Sequence, residues 1–216
     1  VSHSAPVATQ APHASGIGLG IKMRGEDKVV LTTIGEGSTS QGEWYEAVNW
    51  AAVHKLPVIF LVQNNQYAIS VRVEKQMAVK SSADKACGLG LVGVTADGTD
   101  VFKMWETINE AAERARAGEG PTVVEARMYR ITPHSSDDDD RTYRSREEVE
   151  EHKRQDPLLV ARAAMEKEGL TTQEHDEMDA RAKSIVDDAV QYAEQAPYPE
   201  VEEGAYPVYA EEVRNG

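Results

Sequence analysis

Two short polar segments, each at the end of a strand-like apolar run, hold the residues of this chain best suited to a metal and a phosphate. Gly35-Glu36-Gly37 follows Val29-Val30-Leu31-Thr32-Thr33-Ile34, and Gln63-Asn64-Asn65, with Tyr67 just beyond, follows Pro57-Val58-Ile59-Phe60-Leu61-Val62. A carboxylate, an amide oxygen and a backbone carbonyl are hard oxygen donors. They suit magnesium, which keeps several coordination positions for phosphate oxygens and water. The glycines beside Glu36 let the backbone come close to a ligand. Ser38, Thr39, Ser40 and Gln41 add hydroxyls and donors at a helix start, where phosphate is favoured. Taken alone, Gly35-Glu36-Gly37 reads equally as a strand-to-helix turn with an exposed acid, and one of the two asparagines as a turn former.

For the two segments to meet, the residues between them must return the chain to the same edge of a sheet. Glu43 to Lys55 reads as a helix, so the whole is a βαβ unit with parallel strands. Both strands then end on the edge where open α/β sheets bind ligands. Leu91 to Thr95 reads as a third strand, Val101 to Ala117 as a helix and Thr122 to Met128 as a fourth strand. This alternation predicts an α/β fold, a parallel sheet with helices on both faces. In the helix from Val101, the spacing of Val101, Trp105, Ile108, Ala112 and Ala115 predicts a stripe facing the core. Before the first strand, Ile17 and Ile21 stand four apart among small residues, which predicts a buried helix packed closely on a neighbour. A buried helix so near the first residue implies sequence upstream, so the chain is read as a fragment.

After residue 130 the character changes. Ile131 to Arg144 is a polar loop with four consecutive aspartates, Asp137 to Asp140, read as a solvated run ahead of a lipoyl-domain contact. Beyond it the chain is helical and charged. Ser145 and Glu148 form a capping-box pattern, and Asp156-Pro157 suits a cap followed by the first helical residue. Thr172 to Gln195 is a long final helix carrying Met178, Ala182, Ile185, Ala189 and Tyr192, and Tyr206, Val208 and Tyr209 are candidate anchors in an acidic tail. The expected division is an α/β domain over 1–144 and, over 145–216, a C-terminal helical segment packing on that domain or on a partner subunit.

Composition excludes several classes. With 216 residues, 40% of them hydrophobic, the chain can bury one sizeable core. A formal net charge of -14 argues against nucleic acid, whose phosphates call for clustered Lys and Arg. It does not argue against an anionic cofactor, because a bound divalent cation inverts the local field. The single Cys87 excludes an internal disulfide and fits a reducing compartment. It has no adjacent histidine and reads as a small packed thiol. No apolar run is long enough to span a bilayer and none at the start reads as a signal peptide. A cytoplasmic setting is expected in a bacterium, or the mitochondrial matrix in a eukaryote.

Three phrases carry a family resemblance: Gly35-Glu36-Gly37-Ser38-Thr39-Ser40-Gln41-Gly42, then Ala51-Ala52-Val53-His54-Lys55-Leu56-Pro57-Val58-Ile59-Phe60, then Gln63-Asn64-Asn65-Gln66-Tyr67-Ala68-Ile69-Ser70. Together they resemble the alpha subunit of the decarboxylating component of thiamine-diphosphate-dependent 2-oxo acid dehydrogenases. Glu36 and Asn65 stand 29 positions apart, as that family's cofactor motif requires. The likeness continues through Asp97-Gly98, Glu119-Gly120-Pro121, Tyr129-Arg130, His134-Ser135-Ser136 and Tyr143-Arg144-Ser145, and so covers essentially the whole chain.

The resemblance implies roles position by position. The Glu36 carboxylate, the Asn65 side-chain oxygen and the Tyr67 backbone carbonyl would hold Mg2+; Gly35, Gly37 and Ser38 would lie along the diphosphate; and Val7 would lie near the aminopyrimidine ring. Ser4, Pro6, Thr9 and Gln10 match a K+ site of some members, and otherwise read as a polar loop. Gln63 stands where relatives place an arginine on the diphosphate, so a cationic fork is absent here. His134, otherwise a lone histidine in a polar loop, matches the family histidine that lines the active site and orients the intermediate during reductive acylation. An imidazole can donate or accept the proton that such a transfer needs. Ser135 reads as a loop hydrogen-bonder and Ser145 as an N-cap, at positions phosphorylated in animal mitochondrial relatives. The implied working form is a heterotetramer of two alpha and two beta subunits, passing an acyl group to the lipoyl domain of a dihydrolipoyl acyltransferase. The implied substrate is a small branched-chain 2-oxo acid such as 3-methyl-2-oxobutanoate. Pyruvate or acetoin dehydrogenase, and a noncatalytic assembly module that has lost its cofactor, remain as alternatives.

Overall fold

The computed structural model describes residues 5–205, so Ser4 and the tail residues Tyr206, Val208 and Tyr209 lie outside the described residues. The described chain divides into two compact units, one ending at Ala164 and the other beginning at Met165.

The first unit begins with α1 (Gln10–Arg24), β1 (Val30–Gly35), α2 (Gly42–Val53) and β2 (Val58–Asn64). A two-stranded ribbon follows, β3 (Tyr67–Ala68) and β4 (Val71–Arg72), and then α3 (Asp84–Gly88), β5 (Val92–Asp97), α4 (Val101–Arg116), β6 (Thr122–Arg127) and α5 (Arg146–Lys153). The larger sheet is parallel throughout, in the order β1-β2-β6-β5. Helices cover both of its faces, as expected. Val58, Phe60, Val62 and Val123 point to the side of α1 and α2, where they join Ala11, Ala14, Trp44, Ala47 and Val48 in one core. Ile59, Leu61 and Val124 point to the other side, against Met104, Ile108, Ala111 and Ala112 of α4. Side chains alternating across a strand that is buried on both faces account for the unbroken apolar run of β2.

Two helices depart in part from the faces their spacing predicts. In α4 Ile108, Ala112 and Ala115 pack as their spacing predicts, joined by Met104, Thr107 and Ala111, while Trp105 is 69% exposed and Val101 lies outside with it. The stripe that packs brings small residues against the sheet and leaves the bulky indole outside. In α1 the packed face is Ala11, Ala14, Ser15 and Gly18, and Ile17 is 40% exposed. A Cβ on Gly18 would lie 2.7 Å from Val58 Cγ2, so glycine sets how near α1 comes to β2. Buried Ser15 donates to the Ala47 carbonyl at 3.0 Å and ties α1 to α2.

The helix α6 (Pro157–Lys167) spans the junction between the units, and α7 (Thr172–Gln195) forms most of the second. Asp156 accepts from the Leu158 N–H at 2.9 Å, the cap expected before Pro157. A full capping box at Thr171 and Glu174 starts α7. Met178, Ile185 and Tyr192 of α7 are exposed. Among the described residues, no helix is long and apolar enough to cross a membrane.

Candidate cofactor and metal site

Because β1 and β2 are parallel and in register from Val30 opposite Val58 to Gly35 opposite Gln63, Glu36 and Asn65 emerge side by side at the carboxyl edge of the sheet. The chain turns there as a 3-10 segment, Glu36–Ser40, after an extended Gly35. A Cβ on Gly37 would stand 2.5 Å from that of Ala68, so the turn packs directly on β3 and only glycine fits. A Cβ on Gly35 would meet nothing within 4 Å, which leaves open space along the backbone leading into Glu36.

The Glu36 side chain is 1% exposed. Its Oε2 accepts from the Asn65 N–H at 3.3 Å and its Oε1 from Gln76 Nε2 at 3.4 Å. Both bonds are long for a carboxylate, which has about four lone-pair directions to fill. Burial pushes the Glu36 carboxyl above its ordinary value, against hydrogen bonding from backbone N–H groups and Gln76 and the field of Arg130. A buried carboxylate with spare acceptor capacity is what a hard cation needs. Among the described residues no three His, Cys, Asp or Glu are grouped so as to hold a metal ion, so a cation here would take its remaining protein donors from amide and carbonyl oxygens. Asn65 and Tyr67 carry such oxygens on the same edge.

The Asn64–Tyr67 turn is built by its own side chains. Asn64 Oδ1 accepts from the Gln66 N–H at 3.1 Å and Asn65 Oδ1 from the Tyr67 N–H at 3.2 Å, two successive side-chain-capped turns. Asn64 is buried and serves as the turn former. Gln66 between the candidate ligands has φ +74°, a left-handed conformation that costs a side chain about 1 kcal/mol. The Tyr67 carbonyl accepts from Arg130 Nη1 at 3.2 Å, and Arg130 Nη2 reaches the Ile69 carbonyl at 2.6 Å.

That guanidinium connects the turn to the loop carrying His134. Arg130 Nη2 also contacts the Tyr143 hydroxyl at 3.0 Å, Tyr143 donates to Asp138 Oδ2, and the same oxygen accepts from the His134 N–H at 2.8 Å. The imidazole itself is exposed. The aspartate run is not simply solvated. Asp138 is taken up as described, Asp139 pairs with Arg141 at 2.6 Å, and Asp140 pairs with Arg144 at 2.6 Å. Basic residues interleaved nearby turn an acidic stretch into a braced loop. Arg144 is fully buried; its guanidinium donates to the carbonyls of Arg130 and Thr132 and lies over the rings of Tyr129 and Tyr67.

Ser145 caps α5 as expected, accepting from the Glu148 N–H at 3.1 Å. Glu148 does not turn back to complete the box. Its carboxylate accepts from the Tyr67 hydroxyl at 2.8 Å and the Tyr129 hydroxyl at 3.1 Å, with Arg72 at 3.4 Å. Burial and Glu148 push the Tyr67 hydroxyl up to about 12. Burial would raise the Glu148 carboxyl, but the two hydroxyls and Arg72 outweigh it and hold it below its ordinary value.

The other predicted residues are more scattered. Ser38 is half-buried within the turn, while Gln63 and Val7 are exposed, Val7 by 53%. The Pro6 carbonyl accepts from the Thr9 hydroxyl at 2.9 Å, and Gln10 Nε2 donates to the Thr33 carbonyl of β1 at 3.0 Å. Gln76, which holds Glu36, carries no local signal in the sequence, and the local signals of Arg130 and Glu148 do not tell that they hold Tyr67; their neighbourhood in space does.

The family model described as dehydrogenase E1 component matches residues 1–202. The chain belongs to that family. Among curated dehydrogenase E1 relatives, it is 50% identical over 211 residues to the 2-oxoisovalerate dehydrogenase subunit alpha of Bacillus subtilis, covering 97% of this chain and 64% of the relative. It is 43% identical over 209 residues to the 3-methyl-2-oxobutanoate dehydrogenase subunit alpha of Mycobacterium tuberculosis, covering 96% and 57%. The pyruvate dehydrogenase E1 component subunit alpha of Bacillus subtilis is 42% identical over 193 residues, covering 88% and 52%. The chain thus spans between about half and two thirds of the length of these dehydrogenase E1 relatives.

Proposed function

We propose that this chain is the cofactor-binding part of an alpha subunit that decarboxylates a branched-chain 2-oxo acid, with 3-methyl-2-oxobutanoate as substrate, and passes the acyl group to a lipoyl group on a dihydrolipoyl acyltransferase. The observation that carries the reading is the buried, under-satisfied Glu36 carboxylate beside Asn65 at the carboxyl edge of two parallel strands. Glu36, the Asn65 side-chain oxygen and the Tyr67 carbonyl hold Mg2+ in this reading. Gly35, Gly37 and Ser38 line the diphosphate, and Gln63 stands at its rim without a cationic fork. Thiamine diphosphate supplies the nucleophilic carbon and the electron sink for decarboxylation. The protein's part is orientation. Arg130 holds the Tyr67 carbonyl while bracing the loop of His134, so metal and proton-transfer group share one support. An exposed imidazole on a braced loop suits an incoming lipoyl group. Val7 contributes an apolar wall, and Pro6, Thr9 and Gln10, together with Ser4 outside the described residues, are the candidate ligands of K+.

The substrate reading rests on identity, 50% to a 2-oxoisovalerate enzyme against 42% to a pyruvate enzyme. A beta subunit completes the site in a heterotetramer of two alpha and two beta chains, and a bacterial enzyme of this kind works in the cytoplasm. Turnover of the assembled full-length complex on each acid tests the reading. Preference for 3-methyl-2-oxobutanoate is expected, and preference for pyruvate overturns the substrate. Calorimetry with Mg2+ and thiamine diphosphate on the same complex is expected to show saturable binding that Glu36→Ala abolishes. No binding at millimolar cofactor would instead make the chain an assembly module.

A further inference from the structure

The stretch that follows β4, through the first turn of α3, touches the Glu36 turn from two sides. In front, Gln76, which follows a 3-10 turn at Val73–Lys75, brings its Nε2 to 3.4 Å from Glu36 Oε1 and to 3.4 Å from the Val71 carbonyl. Both neighbours are acceptors, so the amide must present its NH2 group to them, and a group in that orientation cannot itself ligate a cation. Behind, Thr39 Oγ1 donates to the Glu36 carbonyl at 2.7 Å, and Lys85 Nζ donates to the Thr39 carbonyl at 3.2 Å and its hydroxyl at 2.7 Å. The Lys85 ammonium also lies over the rings of Trp44 and Tyr45, 5.8 and 5.6 Å from their centroids. The segment is itself anchored to the sheet: the fully buried Glu125 of β6 accepts from the Ser82 N–H, and Arg127 Nη2 donates to the Lys80 carbonyl at 3.1 Å.

We propose that Gln76 and Lys85 are positioning residues for the metal-binding carboxylate: Gln76 sets the plane of the Glu36 carboxyl group, and Lys85, through Thr39, sets the backbone that carries it. The proposal rests on the reading of Glu36 as a metal ligand. The terminal torsion of a glutamate is soft, so without a partner on each oxygen the carboxylate turns over a broad range. Asn65 N–H on Oε2 and Gln76 on Oε1 restrict it from opposite sides. Losing such an outer partner lowers metal affinity about 10- to 100-fold in well-studied sites.

The test uses the full-length complex with its beta partner, titrated with Mg2+ at fixed thiamine diphosphate and followed by circular dichroism of the bound cofactor, with thermal unfolding of the metal-free protein in parallel. Gln76→Met is expected to raise the half-saturating Mg2+ concentration about tenfold, with at most a small lowering of the metal-free unfolding midpoint from the one long hydrogen bond lost. Lys85→Met raises it too, and Lys85→Arg, which keeps a donor and a cation over the two rings, returns it most of the way. Wild-type Mg2+ dependence in both Gln76→Met and Lys85→Met, with Glu36→Gln abolishing the signal, overturns the positioning roles alone. Wild-type Mg2+ dependence in Glu36→Gln overturns the metal reading, and the positioning roles with it. If Lys85→Met fails to fold, Gln76→Met decides by itself.

Discussion

The turn that carries Glu36 and the loop that carries His134 are held by opposite means. Glu36 is buried, yet its carboxylate has two long hydrogen bonds and capacity to spare. His134 is exposed, yet its loop is braced by hydrogen bonds and ion pairs among Arg130, Asp138, Tyr143, Asp140 and Arg144. In the first, rigidity comes from packing and the polar group keeps acceptor capacity; in the second, rigidity comes from the polar groups and the imidazole stays exposed. Burial therefore goes with an under-bonded carboxylate in one place and with the fully bonded Arg144 cation in the other. The two segments share Arg130, which touches both.

Breaking the braced loop is expected to have the largest effect. Arg144→Met removes a buried guanidinium from three carbonyls and Asp140, at a cost of about 3 kcal/mol. Thermal unfolding reads the loss, and proteolysis should cut within 131–143; unchanged cleavage would show that the loop does not depend on Arg144. Next comes Glu148, whose charge-assisted bonds to Tyr67 and Tyr129 contribute about 1.5 kcal/mol. Its carboxyl is held below the ordinary value, so this stabilisation is present above pH 4.5 and fades as the pH falls below it through the folded-state value. Wild type and Glu148→Gln should differ in denaturation midpoint at neutral pH and converge in acid.

At the Glu36 turn the sign reverses. Glu36→Gln is expected to stabilise the metal-free chain by about 1 kcal/mol, because a buried, under-bonded charge costs stability. A urea titration that finds it destabilised would remove the contrast between the two segments. The smallest effect is at Gln66, where φ +74° favours glycine. Gln66→Gly should gain about 0.5 kcal/mol, the relief of the left-handed strain less the added entropy of the unfolded chain. A loss would mean that the Gln66 side chain makes up for its backbone.

The strands, their parallel direction and the meeting of Glu36 with Asn65 were legible because each rests on local pattern: an apolar run, then a polar turn. The start of α7 at Thr172 was legible for the same reason, since a cap is local. The face of α1 and one edge of the α4 stripe were not. Periodicity fixes the spacing of a stripe but not which edge of it packs: Ile108, Ala112 and Ala115 of α4 face in as expected, yet Trp105, its bulkiest apolar residue, faces out and Ala111 faces in. Glu148 misled for another reason: three residues after Ser145 it suits a box, but two tyrosine hydroxyls from other elements compete for it and win. The supports supplied by Gln76, Arg130 and Arg144 join residues far apart in the chain, and no window along the sequence contains both ends.

The order of the strands bears on how this protein is made. β6 is the last strand of the sheet to be synthesised, yet it lies between β2 and β5. As the chain leaves the ribosome, β1 and β2 can pair as soon as both have emerged, but the far edge of β2 waits through about sixty more residues for its partner. At the usual pace of about 5–20 residues per second, that edge stays open for several seconds. It is apolar on both faces and ends at the Asn64–Asn65 turn, so the interval before β6 arrives is when a chaperone has most to protect.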